Sequence, residues 1–422
     1  MRATPHWRKL ALAAAVLAVL IAPAALPRAS LAAGKGMAMR EKVYEKLSRA
    51  QEAAESQDWE TAFDALEDLE KMKDLSSSEK AQLYTAYGYT YFAQDNFAES
   101  AAAYEKVLLE KDLPEAMRVS TLYTLGQLHF HLEHYAQAAG YLEQWLQLAE
   151  NPGPEPYVLL GQAYYQLGRL DEAAAPVRQA IAVARQRQTR VQENWYALLR
   201  VIYFETKDYD RLLEVLEVLV SEYPKKEYWL HLAAAYGDME DEVRQLACYE
   251  MAHELGYLTR SSEIVLLSQL LMQAEVPFRA GVLLQDGLDS GRVEGTAANW
   301  RLVSQAWILA QEHARAVTSL SRAAELSDDG ELHARIAQTY VNLGEWEKAI
   351  AAAQTALDKG VDDPQELQLM QGMAYFELGR FPEAKLAFTA AQKSKEGRAT
   401  ASRWLDFVER EEERLAQLGL KP

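Results

Sequence analysis

The feature that most restricts what this chain can fold into is a two-helix pattern that returns about every 35 residues. Its plainest copy runs from Glu155 to Ala184. Tyr157, Leu160, Gly161 and Tyr164 fall three or four residues apart and so share one helical face. Gly168 supplies the left-handed residue that ends this first helix. After the turn, Leu170, Ala173, Val177, Ala180 and Ile181 carry a second apolar stripe. Gly161 and Ala173 stand where two antiparallel helices would touch, so a larger side chain at either should push the pair apart. A single copy says little, but many copies in register leave one architecture, because each hairpin can bury its apolar face only against a neighbour.

The alanine after the turn serves as a marker. Its equivalents are Ala62, Ser100, Ala138, Ala173, Leu212, Gln245, Ala280, Ala316, Ala349 and Ala384, at intervals of 38, 38, 35, 39, 33, 35, 36, 33 and 35 residues. The slack belongs to loops between units, and the count is ten helix pairs. Other columns keep step. A small slot in the first helix holds Gly88, Gly126, Gly161, Ala233, Ser268, Ser304, Ala337 and Gly372, and an aromatic slot three residues later holds Tyr91, His129, Tyr164, Tyr236, Leu271, Trp307, Tyr340 and Tyr375. The copy between Tyr196 and Pro224 departs, with Arg200 in the small slot and Leu212 in the alanine slot, and wider packing is expected there. Further on, Glu275-Val276-Pro277 replaces the turn glycine, and Pro277 can begin a helix. The first unit, from Glu41 to Asp74, is the faintest. Beyond Gln392 the period stops, and 397–417 has the pattern of one more helix. Trp404, Leu405, Val408 and Leu415 would cover the last unit, with a charged face from Glu409 to Arg414 outward.

This spaced series of aromatic, Leu-Gly, Tyr, Ala and Ala residues resembles the tetratricopeptide repeat. The resemblance implies an all-α, right-handed superhelical solenoid of about ten helix-turn-helix repeats with a C-terminal capping helix, its first helices lining a concave groove. The corresponding divisions are 1–32, 33–39 as a linker, 40–392 as the repeat array and 393–422 as capping helix and tail.

Residues 1–32 have the form of a secretory signal peptide: a basic start, an apolar run from Leu10 to Ala22, and Ser30-Leu31-Ala32 at the end. Cleavage is expected after Ala32, with Ala33 the neighbouring option. The run is shorter than the roughly 20 residues a membrane helix needs, and Pro23 and Pro27 interrupt it, so no stable span is expected after cleavage. The Ala-rich signal suggests a Gram-negative bacterium and its periplasm. The formal charge of −18 becomes −22 without the four basic residues Arg2, Arg8, Lys9 and Arg28. That balance argues against nucleic acid, which needs a clustered basic surface, and suits a basic partner. The lone Cys248 cannot form an internal disulfide and is expected to be a buried small apolar residue.

Catalytic motifs are absent: there is no Gly-rich phosphate loop, Gly-x-Ser-x-Gly elbow or His-Glu-x-x-His pair, so neither an enzyme nor a bound cofactor is expected. His129, His131 and His134 form the one compact histidine group. On the repeat frame His129 lies in the aromatic slot while His131 and His134 face outward near the turn, so no metal site is expected. Ser327-Asp328-Asp329-Gly330-Glu331 fits a turn and helix N-cap better than a calcium loop. What remains is surface. One residue past the small slot, the groove column reads Tyr89, Gln127, Gln162, Val201, Ala234, Gln269, Gln305, Gln338 and Met373. Its five glutamine amides could hold the backbone of an extended peptide without reading side chains. One residue past the aromatic slot, Phe92, Phe130, Tyr165 and Phe204 offer rings in succession, either as a platform for apolar anchors or as packing between first helices. The expected partner is a protein or peptide segment. A basic carboxylate clamp is missing, since its slot holds Tyr123, Val158, Ala197, Leu230 and Val265, with only Arg301 basic.

Four segments carry a closer resemblance: Asn151-Pro152-Gly153-Pro154, Glu193-Asn194-Trp195, Tyr223-Pro224-Lys225-Lys226 with Tyr228-Trp229, and Leu326 to Leu332. They resemble periplasmic tetratricopeptide-repeat proteins described as components of the TonB energy-transduction system. That likeness implies a soluble adaptor associated with TonB or its inner-membrane motor proteins, with a Pro- and Lys-rich linker as the segment held. An envelope-assembly adaptor for outer-membrane or cell-wall machinery is the alternative, and a saccharide-binding protein or hydrolase the remote one.

Overall fold

The computed structural model describes residues 39–419, and every regular element among them is an α-helix. The expected signal peptide, most of the linker and the last three residues lie outside the described residues. The chain divides into two compact units, the first ending at Pro224 and the second beginning at Lys225. The first unit holds α1 (Glu41–Glu55), α2 (Trp59–Glu70), α3 (Ser77–Ala93), α4 (Phe97–Leu108), α5 (Glu115–His131), α6 (Tyr135–Leu148), α7 (Pro154–Gln166), α8 (Leu170–Gln186), α9 (Glu193–Glu205) and α10 (Tyr209–Glu222). The second holds α11 (Lys226–Asp238), α12 (Glu242–Glu254), α13 (Ser261–Gln273), α14 (Pro277–Asp289), α15 (Ala297–Leu309), α16 (His313–Glu325), α17 (Gly330–Asn342), α18 (Trp346–Lys359), α19 (Pro364–Glu377), α20 (Phe381–Ala391) and α21 (Arg398–Gln417). From α1 to α20 the helices pair off in order, and Pro277 does open α14.

The ten hairpin turns share one construction. Five residues before each alanine-slot marker, the backbone is left-handed: Gly168 and Gly344 have φ near +70°, and so do side-chain-bearing residues such as Asp95 (φ 60°), Lys207 (58°), Glu240 (61°) and Glu275 (60°). The next residue donates its N–H to the carbonyl of the aromatic slot, as from Asn96 to Tyr91 at 2.9 Å, Arg169 to Tyr164 at 2.9 Å and Glu312 to Trp307 at 2.8 Å. This is the closure of a Schellman turn. The sequence pointed to glycine alone, yet the bond and the two flanking helices hold the same conformation on residues that disfavour it.

The hairpins close tightly because their contact positions are small. A Cβ at Gly161 would stand 2.4 Å from Val177 Cγ2 and 2.9 Å from the Ala173 carbonyl oxygen, which is the close approach expected of that pair. In the sixth hairpin the alanine slot holds the larger Gln245, and Gly237 makes the room: a Cβ there would lie 2.3 Å from Gln245 Nε2. Cys248 is buried, as a small apolar residue would be. Each unit also carries an ion pair from the head of one first helix to the next first helix. In the first, Arg40 Nη2 meets Glu79 Oε2 at 2.7 Å, and in the second, Lys226 Nζ meets Glu263 Oε2 at 2.7 Å. Helix α21 closes the last hairpin by stacking Trp404 on Phe388, centroids 5.4 Å apart, and burying Val408 completely.

Candidate functional site

The nine residues singled out from the sequence fall into both units, and each unit carries its own part of the face. Gln127 on α5 and Gln162 on α7 belong to the first, on first helices that touch one another, together with Phe92, Phe130, Tyr165 and Phe204. Gln269 on α13, Gln305 on α15 and Gln338 on α17 belong to the second.

In the first unit Gln127 and Gln162 are half-buried, and among the described residues neither side-chain amide has a hydrogen-bond partner. The four rings beside them are also half-buried. Phe92 meets Phe97 edge-on with centroids 5.6 Å apart, and Phe130 meets Tyr135 in the same way at 5.3 Å. Phe97 and Tyr135 are the opening residues of α4 and α6, five positions on. One edge of each of these two rings therefore fastens the hairpin, a role the sequence reading did not contain. Tyr165 reaches to the neighbouring hairpin and donates its hydroxyl to Glu205 Oε1 at 3.0 Å. Burial, with this carboxylate beside it, pushes the Tyr165 hydroxyl up to about 12, so it stays a donor at any physiological pH.

In the second unit Gln269, Gln305 and Gln338 are exposed. The amides of Gln269 and Gln305 have no partner among the described residues, whereas Gln338 Nε2 donates to Asn342 Oδ1 at 3.2 Å on its own helix. Four of the five column amides thus keep all their hydrogen-bonding capacity for an outside group. Such a group satisfies both ends of an amide if it is itself a peptide unit.

The histidine group differs from expectation in one respect. His131 packs against Phe97 at 4.2 Å, away from the other two. His134 is exposed, yet its Nδ1 lies 3.4 Å from His129 Nδ1, because the left-handed Glu133 folds the chain back and the His134 N–H bonds the His129 carbonyl at 2.8 Å. The other face of His129 meets Glu105, with Nε2 3.1 Å from Oε1. Burial pushes the His129 imidazole below its usual range, against the opposing pull of Glu105. Among the described residues no three side chains converge as metal ligands. Asp329 caps α17 by accepting from the Glu331 N–H at 2.9 Å, so the 327–331 segment is a helix start.

Small residues at the hairpin contacts, one turn closure used throughout, and side-chain rows on first helices define a helical-hairpin repeat protein. One model of the tetratricopeptide repeat matches residues 123–189 and 334–399, and a second such model matches 81–111. The chain carries tetratricopeptide repeats over these residues. Among solved structures, the crystal structure of MamA protein is similar at 22% identity and TM-score 0.35, over 42% of this chain and 92% of that one. YrrB, described as a TPR protein with an unusual peptide-binding site, is similar at 22% identity and TM-score 0.36, over 44% of this chain and 89% of its own. Naa15/Naa10 bound to HypK-THB gives 13% identity and TM-score 0.42, over 90% and 62%. No curated protein matches the chain in sequence. No helix among the described residues is long and apolar enough to cross a membrane.

Proposed function

We propose that this protein is an exported, non-enzymatic interaction scaffold that holds an extended segment of a partner protein along its first-helix faces, as an accessory component of the TonB system. The observation that carries the reading is the set of four glutamine amides, Gln127, Gln162, Gln269 and Gln305, left without partners among the described residues at one register position. A peptide backbone supplies the donors and acceptors they lack. The half-exposed rings of Phe92, Phe130, Tyr165 and Phe204 add apolar seats in the first unit. The TonB assignment is supported by the four segments that resemble that periplasmic family, and the acidic charge suits a Pro- and Lys-rich linker.

Photo-crosslinking from Gln162 and from Gln305 in living cells, with identification of the captured proteins, is the test. TonB or its motor proteins should be recovered at both positions. Outer-membrane assembly factors in their place would replace the TonB assignment by the envelope-assembly one. In solution, Gln127→Ala with Gln162→Ala should weaken a Pro- and Lys-rich linker peptide about tenfold, the worth of one or two hydrogen bonds. Unchanged affinity would end the amide-ladder reading.

A further inference from the structure

In six hairpins the aromatic-slot ring carries a cation supplied from its own turn or second helix. Arg169 lies 4.5 Å from the Tyr164 centroid and Arg380 4.8 Å from that of Tyr375, each five residues on. Eight residues on, Arg211 lies 6.0 Å from Tyr203, Arg244 5.5 Å from Tyr236, Arg315 4.8 Å from Trp307 and Lys348 5.7 Å from Tyr340. The second hairpin keeps the ring, Tyr91, and lacks the cation. Five residues on stands Asn96, and eight residues on stands Glu99.

Glu99 is exposed and has no hydrogen bond or ion pair among the described residues. It does not serve as a capping residue either, since the head of α4, with Asn96 as its N-cap, has no side-chain cap bond. Tyr91 and Glu99 line one cavity of about 510 Å³ with Phe63, Tyr84, Tyr87 and Glu70. The Phe63 and Tyr91 rings lie 4.9 Å apart. Both lysines that line the cavity are engaged with other lining residues, not with Tyr91 or Glu99: Lys71 pairs with Glu67 at 3.5 Å, and Lys106 lies 5.3 Å from the Tyr84 centroid. The cavity thus has aromatic walls, a ring face with no cation over it and a carboxylate with no partner.

We propose that this cavity receives a lysine or arginine side chain from a partner protein. The aliphatic stem lies along Phe63 and Tyr87, and the charged end takes the place over Tyr91, against Glu99, that an internal cation fills in six other hairpins. A bare metal ion would gain nothing from apolar walls and finds no ligand cluster among the described residues. None of the nine first-helix-face residues lines this cavity, so the inference stands or falls separately from the proposed function.

Calorimetric titration of the full chain with a pentalysine peptide, beside the same peptide acetylated on every Nε, tests it. Pentalysine should bind and the acetylated peptide should not. Glu99→Arg, which installs the residue three other hairpins carry at that position, should reduce affinity about tenfold without lowering the melting temperature. Tyr91→Leu should reduce it about fivefold, and should Tyr91→Leu fail to fold, Glu99→Gln gives the second reading. Glu377→Arg, an equal change of charge in the second unit, should leave affinity within about twofold. Equal weakening by Glu99→Arg and Glu377→Arg would show general attraction to an acidic surface and overturn the proposal. So would equal binding of the acetylated peptide, and Nα-acetyl-lysine methylamide binding as tightly as pentalysine would overturn the assignment to a partner protein. Gln127→Ala with Gln162→Ala should change nothing in this titration, whichever way the first-helix faces behave.

Discussion

At the scale of single residues, the hairpin turns are where this sequence works against its own backbone preferences. Gln57, Asp95, Glu133, Lys207, Glu240, Glu275 and Gln311 hold a left-handed conformation that Gly168, Gly344 and Gly379 adopt without strain. Glycine at such a place removes a Cβ conflict but gains freedom in the unfolded chain, and the first effect is the larger. Lys207→Gly and Glu240→Gly should each raise stability by about 0.5–1 kcal/mol, or a few degrees in melting temperature, while Gly168→Ala should cost about 1 kcal/mol. A drop in melting temperature for both glycine variants would show that those side chains contribute more than their backbone strain costs. The sequence displayed the three glycines and located the other seven turns but not their left-handed backbone, because what fixes it is a backbone hydrogen bond that no residue type signals. It displayed Gly161 and Ala173 correctly, since small size at a helix contact is legible wherever the period is known.

At the scale of elements, boundaries followed from pattern and long-range ties did not. The start of α14 at Pro277 could be read from the absence of a proline N–H. Nothing in the sequence marked Arg40, immediately before α1, as the partner of Glu79 on α3. The guanidinium bonds the carboxylate at 2.7 Å, and Ser76 at the head of α3 adds its own N–H at 2.9 Å. Arg40 first, with Ser76 assisting and burial opposing, holds the Glu79 carboxyl at about 2, below its ordinary 4.5. A carboxylate with a depressed folded-state pKa stabilises fully above its unfolded value and ceases to do so as pH falls through the folded one. Glu79→Gln should therefore cost about 2–3 kcal/mol at pH 7. The difference from wild type should narrow below pH 4.5 and vanish near pH 2. Hydrogen exchange of α1 and α3 across that range checks this, and a constant difference at all pH values would mean that shape, not charge, makes the contact.

At the scale of the molecule, the all-helical repeat organisation of the described residues was readable, and the candidate site only in outline. The column rule picked out amides that lack partners among the described residues in four of five cases. It could not show that Phe92 and Phe130 also fasten their own hairpins, since that contact depends on where the turn places Phe97 and Tyr135. The net charge of −18 carries a kinetic expectation: association with a Pro- and Lys-rich segment should slow about tenfold between 50 and 500 mM salt, with dissociation changing less. A rate indifferent to salt would remove charge from the account of recognition. Within every hairpin the two contact positions stand 12 residues apart, from Ala50 and Ala62 through Gly161 and Ala173 to Gly372 and Ala384, while the spacing between markers ranges from 33 to 39. The chain is accordingly built of rods of fixed gauge joined by adjustable couplings. Added or lost residues are absorbed in a coupling such as 289–296, where α14 gives way to α15, whereas one extra residue at 239–241 would put the sixth rod out of gauge.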